Sequence, residues 1–206
     1  MHARRHRAAA KGLALGLALM LPTAVLAAEA ATGEAARVAQ WVRDSKDNQH
    51  RPYIVVDKAN ARVFLFDASG TMKGEDAALL GMERGDKAVA GPGKGQLSPH
   101  HRITPAGRFL ANLDRDAHGE QVLLIDYEHA IALHAVVKGT VAERRAERLA
   151  SATPADNRIS FGCINVPLAF FRDVVSPAFA RTDGYVYILP ESGKGQGQGP
   201  PWESRP

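Results

Sequence analysis

The chain holds a single cysteine, Cys163, in the stretch ISFGCINVP from Ile159 to Pro167. A lone thiol has no partner for an intramolecular disulfide, so it packs as a small apolar group, pairs between chains, or reacts. Its neighbours favour reaction. Ser160, Gly162 and Asn165 surround it with small or polar groups, whereas a core cysteine sits in an apolar run. Gly162 lets the backbone come close to a bound group, and backbone N–H groups at the thiol could then face an oxyanion. A thiol with an ordinary pKa of about 8.5 needs a base or a positive field to act at neutral pH.

The candidate base is His134, in AIALHAVV (130–137). Read as a strand, this segment puts Ile131, Leu133, Ala135 and Val137 on one face and Ala130, Ala132, His134 and Val136 on the other. Small alanines beside the imidazole leave room for a group to approach. A lone histidine at a strand end is more often a packing residue. Together with Cys163 it forms the minimum pair for covalent acyl transfer.

Other chemistries fit less well. GPGKGQ (91–96) has the glycines of a phosphate loop, but no Ser or Thr follows the lysine and the spacing is wrong. DRDAHGE (114–120) resembles the start of a calcium loop, yet its fifth position is His118 and its twelfth is Ile125, so it reads as a hairpin turn. Cys163, His134 and the pair His100-His101 match no zinc spacing. The expectation is therefore no metal and no cofactor.

The elements that must position this pair follow from patterning. A length of 206 residues with 45% apolar and 23% charged residues suits one globular domain with appendages. Met1 to Lys11 carries Arg4, Arg5, Arg7 and Lys11 and no acid, and GLALGLALMLPTAVLA follows with small residues at its end. That order predicts a secretory signal peptide over 1–27, cleaved near Ala27, with export to the periplasm and no stable membrane insertion afterwards. The 26 basic residues exceed the 22 acidic by four, and the four in the signal account for that excess. A neutral mature chain with no basic, aromatic-interleaved patch argues against a nucleic-acid partner.

Residues 28–52 read as a lead-in segment, in which EAARVAQWVRDS forms an amphipathic helix with Ala36, Val38, Trp41 and Val42 near one face. Strands are predicted at Tyr53–Val56, Val63–Phe66, DAALLG (76–81), RFLANL (108–113), QVLLIDY (121–127), AIALHAVV and DGYVYILP (183–190). A long loop runs from Glu83 to Gly107. AERRAERLA (142–150) and PLAFFRDVV (167–175) read as helices. The tail 191–206 is low in complexity and is expected to be disordered. The expected fold is mainly β, a sandwich or barrel-like domain over 53–190 with one or two short helices.

Four segments in the same order carry a family resemblance. SFGCINV resembles the S-H-G-C-[IV]-[RN] signature of the L,D-transpeptidase catalytic domain family (YkuD-like). The strand ending in Leu133-His134 resembles the family's histidine strand, TPAGRF (104–109) its T-P-x-G-x-F segment, and YIVVDKANARVFLFD its opening hairpin. The resemblance implies Cys163 as nucleophile, His134 as general base, and backbone N–H groups of Gly162 and Cys163 as oxyanion donors. It implies that Ser160 and Asn165 shape a substrate-binding site for peptidoglycan stem peptides, and that carbapenem-type β-lactams acylate the thiol. Arg158, close to the thiol, is the arginine expected to grip a stem-peptide carboxylate. Arg144, Arg145 and Arg148 read instead as a solvated helix face balanced by Glu143 and Glu147.

The chain departs from the pattern at Phe161, where the family has histidine, and at Ala135, where glycine is common. Phe161 is then expected to serve as a packing residue. The implied activity is cleavage of the bond between the diamino acid and D-alanine of a tetrapeptide stem, with transfer to an amine. The alternatives are an L,D-carboxypeptidase, with water as acceptor, and a non-catalytic peptidoglycan-binding homologue.

Overall fold

The computed structural model describes residues 33–87 and 102–192. The signal segment, His100-His101, the GPGKGQ stretch and most of the tail lie outside the described residues. Ten strands follow one helix: α1 (Glu34–Ser45), β1 (Tyr53–Asp57), β2 (Arg62–Phe66), β3 (Met72–Ala77), β4 (Leu80–Gly81), β5 (Gly107–Arg115), β6 (Gln121–Asp126) and β7 (Ile131–Ala135). After a helical link with α2 (Arg145–Leu149) come β8 (Arg158–Ser160), β9 (Ile164–Val166), a helical run and β10 (Gly184–Ile188).

Eight strands make one mixed sheet in the order β3-β2-β1-β10-β5-β6-β7-β9. Leu79, just after β3, exchanges backbone hydrogen bonds with Asn165 of the far edge strand β9 at 2.8 and 2.9 Å. That bridge nearly closes the sheet on itself. β4 and β8 pair separately, in parallel. Among the described residues no helix is long and apolar enough to cross a membrane.

The central strands explain their own uninterrupted apolar runs. Ile54, Val56, Val63, Leu65, Val186 and Ile188 point into the main core. Their alternates Tyr53, Val55, Phe64, Phe66, Tyr185 and Tyr187 fill a second core under α1. Strands buried on both faces lose the polar alternation of a one-sided sheet. The lead-in helix is thus an integral layer of the domain. It spans the predicted residues, but its buried face is Ala35, Val38, Ala39 and Val42; Ala36 turns away. Just past its end, the Asp47 carboxylate accepts 2.6 Å hydrogen bonds from Arg108 Nε and the Tyr187 hydroxyl, anchoring the helix to β5 and β10.

Two sequence expectations change. DAALLG is split: β3 ends at Ala77, and Leu80–Gly81 leaves the large sheet for β8. PLAFFRDVV belongs to a longer helical run, α3 (Leu168–Phe170), a wider π turn (Phe171–Val175) and α4 (Ser176–Phe179), whose Phe170, Phe171, Val175 and Phe179 cap the main core. DRDAHGE is the hairpin turn expected, with Asp116 Oδ1 accepting the N–H groups of His118 and Glu120.

The long loop is pinned at both described ends by Lys58. Its fully buried ammonium donates to Gly85 O (2.6 Å), Asp86 Oδ1 (2.9 Å) and Thr104 O (2.8 Å). Three acceptors match the three N–H donors of an ammonium. Burial pulls the Lys58 pKa down, and the Asp86 and Glu191 carboxylates oppose that pull.

Candidate active site

Cys163 lies on the turn between β8 and β9, half-buried and unpaired. β9 runs parallel to β7, with His134 opposite Asn165 and Leu133 opposite Ile164. Ile131, Leu133, Ile164 and Val166 point into the core. By alternation His134, Asn165 and Cys163 share the other face. If Cys163, one residue before β9, continued that strand, a strand spacing of about 4.8 Å and a rise of about 3.3 Å per residue would put its Cα ~8 Å from that of His134. The β7–β9 pairing thus sets side by side two segments whose Cys163 and His134 are 29 positions apart in sequence.

The imidazole's tautomer follows from its partner. His134 Nδ1 lies 2.8 Å from the Ala135 carbonyl oxygen. A carbonyl can only accept, so Nδ1 carries the proton and Nε2 keeps its lone pair. Burial lowers the His134 pKa below 6.5, and the Arg145 charge adds to this; the Ala135 carbonyl and Asp116 oppose it. Burial raises the Cys163 thiol, while the Ala132 N–H group acts in the other direction. The sulfur sits 3.6 Å from the Ala130 carbonyl oxygen, to which the thiol donates. Both shifts favour the neutral forms of the thiol and the imidazole.

The turn that presents the thiol is held by two hydroxyls. The buried Ser160 Oγ accepts the Gly162 N–H (3.1 Å) and donates to the Cys163 carbonyl (2.6 Å). The fully buried Thr104 Oγ1 accepts the Gly81 N–H (2.9 Å) and donates to the Gly162 carbonyl (2.8 Å). Gly162 has φ +114°, and a Cβ there would meet Ile131 Cδ1 at 2.8 Å and the Ile103 carbonyl at 2.9 Å. Only glycine fits this backbone.

These contacts revise several sequence expectations. The Gly162 N–H is engaged by Ser160, which leaves the Cys163 N–H as the backbone donor beside the thiol. Ser160 and Asn165 are buried, with their polar atoms on the turn and on Arg145, so they position the site and do not grip a ligand. Arg158, its side chain 7% exposed, makes a two-pronged bond to Glu191 at 2.8 and 2.9 Å and a third to the Lys58 carbonyl at 2.8 Å. It clamps the C-terminal segment and is not free for substrate. Phe161 is 51% exposed, with the Arg102 guanidinium 5.1 Å above its ring, and so lies at the mouth of the site, not in the packing.

Arg145 is the residue the sequence reading placed wrongly. AERRAERLA is not one helix. Arg144 adopts a left-handed conformation, φ 49°, which separates a short 3-10 turn (Val141–Glu143) from α2. The break leaves Arg144 in solvent beside Glu147 and turns Arg145 inward, where it donates to Asn165 Oδ1 at 2.9 Å. The Thr104 role was carried by the TPAGRF motif without being specified by it. Among the described residues, no group of His, Cys, Asp and Glu side chains is arranged to hold a metal ion.

Comparison with known proteins adds little to this geometry. No protein-family profile matches the chain, and no curated protein matches its sequence. Among solved structures, an LD transpeptidase, LdtMt1, in complex with imipenem aligns with a TM-score of 0.40 and 13% identity. The alignment covers 67% of this chain and 58% of that one.

Proposed function

We propose that this chain is a cysteine acyltransferase of the L,D-transpeptidase type, exported to the periplasm and acting on peptidoglycan stem peptides. The observation that carries the reading is the parallel β7–β9 pairing, which sets the segment of Cys163 beside that of His134, whose Nδ1 is committed to the Ala135 carbonyl so that Nε2 keeps the lone pair that accepts a proton. The resemblance of SFGCINV to the family's cysteine signature suggests the substrate class.

His134 Nε2 removes the thiol proton as sulfur attacks the carbonyl joining the diamino acid to the terminal D-alanine. The Cys163 N–H stabilises the oxyanion that forms. Collapse breaks the C–N bond, the imidazolium gives its proton to the departing amine, and a thioester remains on Cys163. An acceptor amine then attacks the thioester, restoring the thiol and forming a new amide. Water as acceptor gives an L,D-carboxypeptidase. Because both shifts favour the neutral thiol and imidazole, the base acts during attack and no thiolate is stored beforehand.

Phe161 motivates a second reading. An exposed aromatic ring under a guanidinium stands where the family motif has histidine. A homologue that binds stem peptides without turning them over would tolerate that change.

Mass spectrometry of tetrapeptide muropeptides incubated with the mature protein, beside Cys163→Ala, separates the readings. Loss of D-alanine with new dimers, absent in the variant, is the expected result. Loss without dimers indicates water as acceptor. No change in either sample, with both proteins folded, refutes the enzyme and favours the binding homologue.

A further inference from the structure

We infer that Arg145 is a positioning residue for the Cys163–His134 pair, acting through the buried amide of Asn165 and through its charge beside the imidazole. This rests on the acyl-transfer reading above.

A continuous polar chain runs from α2 to the nucleophile. Arg145 donates to Asn165 Oδ1 at 2.9 Å, and Asn165 Nδ2 donates to the Cys163 carbonyl at 3.3 Å. Asn165 is 1% exposed and stands opposite His134 in the β7–β9 register. Its backbone also makes the two bonds to Leu79 that close the sheet. One residue therefore joins the sheet closure, through its backbone, to the nucleophile turn and the link helix, through its side-chain amide. A shift of the guanidinium is passed directly to the carbonyl of the nucleophile.

The guanidinium is itself built in. Its Nε donates to Glu143 Oε2 at 2.7 Å, and its side chain is only 11% exposed. Glu143 is fixed in turn: its Oε2 accepts the Thr140 N–H at 3.3 Å, and its carbonyl accepts Arg148 Nε at 2.8 Å. Gly139 packs against the ion pair. A Cβ there would lie 2.1 Å from Glu143 Oε2 and 2.7 Å from Arg145 Nε. A surface arginine balancing a nearby acid, as Arg144 does with Glu147, has none of this support.

The charge matters because of where it lies. Two charged groups act on the imidazole: Arg145 from α2, and Asp116 from the β5–β6 turn with the opposite sign. A fixed cation disfavours imidazolium. It keeps Nε2 available as acceptor at neutral pH, and it makes the imidazolium, once formed, a stronger acid toward the leaving amine. A residue with a purely structural role would have no such effect on the imidazole.

The test uses Arg145→Gln, Arg145→Lys, Gly139→Ala and Asn165→Ala in the full mature chain, each checked for folding by circular dichroism. The first readout needs no substrate: NMR titration of labelled His134. The expected result is a midpoint moved up in Arg145→Gln and in Gly139→Ala, and retained in Arg145→Lys. The second readout is D-alanine release. Arg145→Gln should lower kcat by roughly 10- to 100-fold, as displacement of positioned groups does, with a smaller change in KM. Arg145→Gln/Asn165→Ala should be worse than Asn165→Ala alone, because the charge acts on His134 directly, yet less than additive, because the path through Asn165 is already broken. If Arg145→Gln does not fold, Arg145→Lys and Gly139→Ala carry the comparison. A His134 midpoint unmoved in folded Arg145→Gln or Gly139→Ala overturns the inference, as does a double variant whose losses add. A wild-type protein that releases no D-alanine refutes the acyl-transfer reading instead, and the titration then stands by itself as the test of Arg145's action on His134.

Discussion

Thr104→Val isolates the hydroxyl that ties the nucleophile turn to the rest of the domain. Thr104 Oγ1 accepts from Gly81 and donates to Gly162 O, and all three residues are buried. Valine keeps the volume and removes both bonds, so a buried N–H and a buried carbonyl lose their partners together. Each such group costs about 1–3 kcal/mol, which for the two gives a destabilisation of about 2–6 kcal/mol. For a domain of this size each kcal/mol lowers Tm by about 2–4 °C, so the melting point should fall by roughly 4–24 °C. Urea unfolding measures the free-energy change directly, and the slope should stay the same if only the folded state has lost bonds. Thr104→Ser retains the hydroxyl and should lose only about 1 kcal/mol, for the missing methyl. A valine variant within about 0.5 kcal/mol of wild type, the spread of an ordinary surface change, would refute the claim that this hydroxyl holds the turn.

Three further outcomes follow from the same geometry. Gly162→Ala forces a Cβ into Ile131 and the Ile103 carbonyl at φ +114°; it should cost about 1–3 kcal/mol of strain and abolish D-alanine release, both measurable on one preparation. Burial raises the Cys163 thiol, so alkylation by iodoacetamide should titrate at higher pH than a free peptide thiol, while the acid limb of acylation falls below pH 6.5 with His134; a fast alkylation rate that is flat down to pH 6 would indicate a stored thiolate and contradict the neutral pair. His134 has a folded pKa below 6.5, so between that value and 6.5 the unfolded chain binds the extra proton and stability rises with pH. His134→Gln should therefore show a smaller loss of stability than wild type between pH 7.5 and 5.5 in urea melts.

What the sequence made legible is what repeats locally. The alternation in AIALHAVV placed His134 off the core face, and that placement agrees with the buried Ile131 and Leu133. Most of the longer strands were readable from their apolar runs, because burial on both faces leaves a continuous signal. β8 and β9, three residues each, were not, since so short a strand has no period; only the register against β7 and β4 defines them. The arginines failed for a different reason. Helix logic groups Arg144, Arg145 and Arg148 by spacing, but the left-handed Arg144 resets the phase, so Arg145 faces the site and Arg144 does not. Arg158 looked available because Glu191 is 33 residues away in sequence. Charges near a thiol in sequence say little about charges near it in space. The useful discriminator is what already holds the guanidinium: Glu191 and the Lys58 carbonyl hold Arg158, whereas Arg145 bonds the very amide that tethers the nucleophile. The candidate pair was thus legible in a nine-residue motif and one strand, and the arginine proposed to position it was hidden in a link whose fold breaks the local rule.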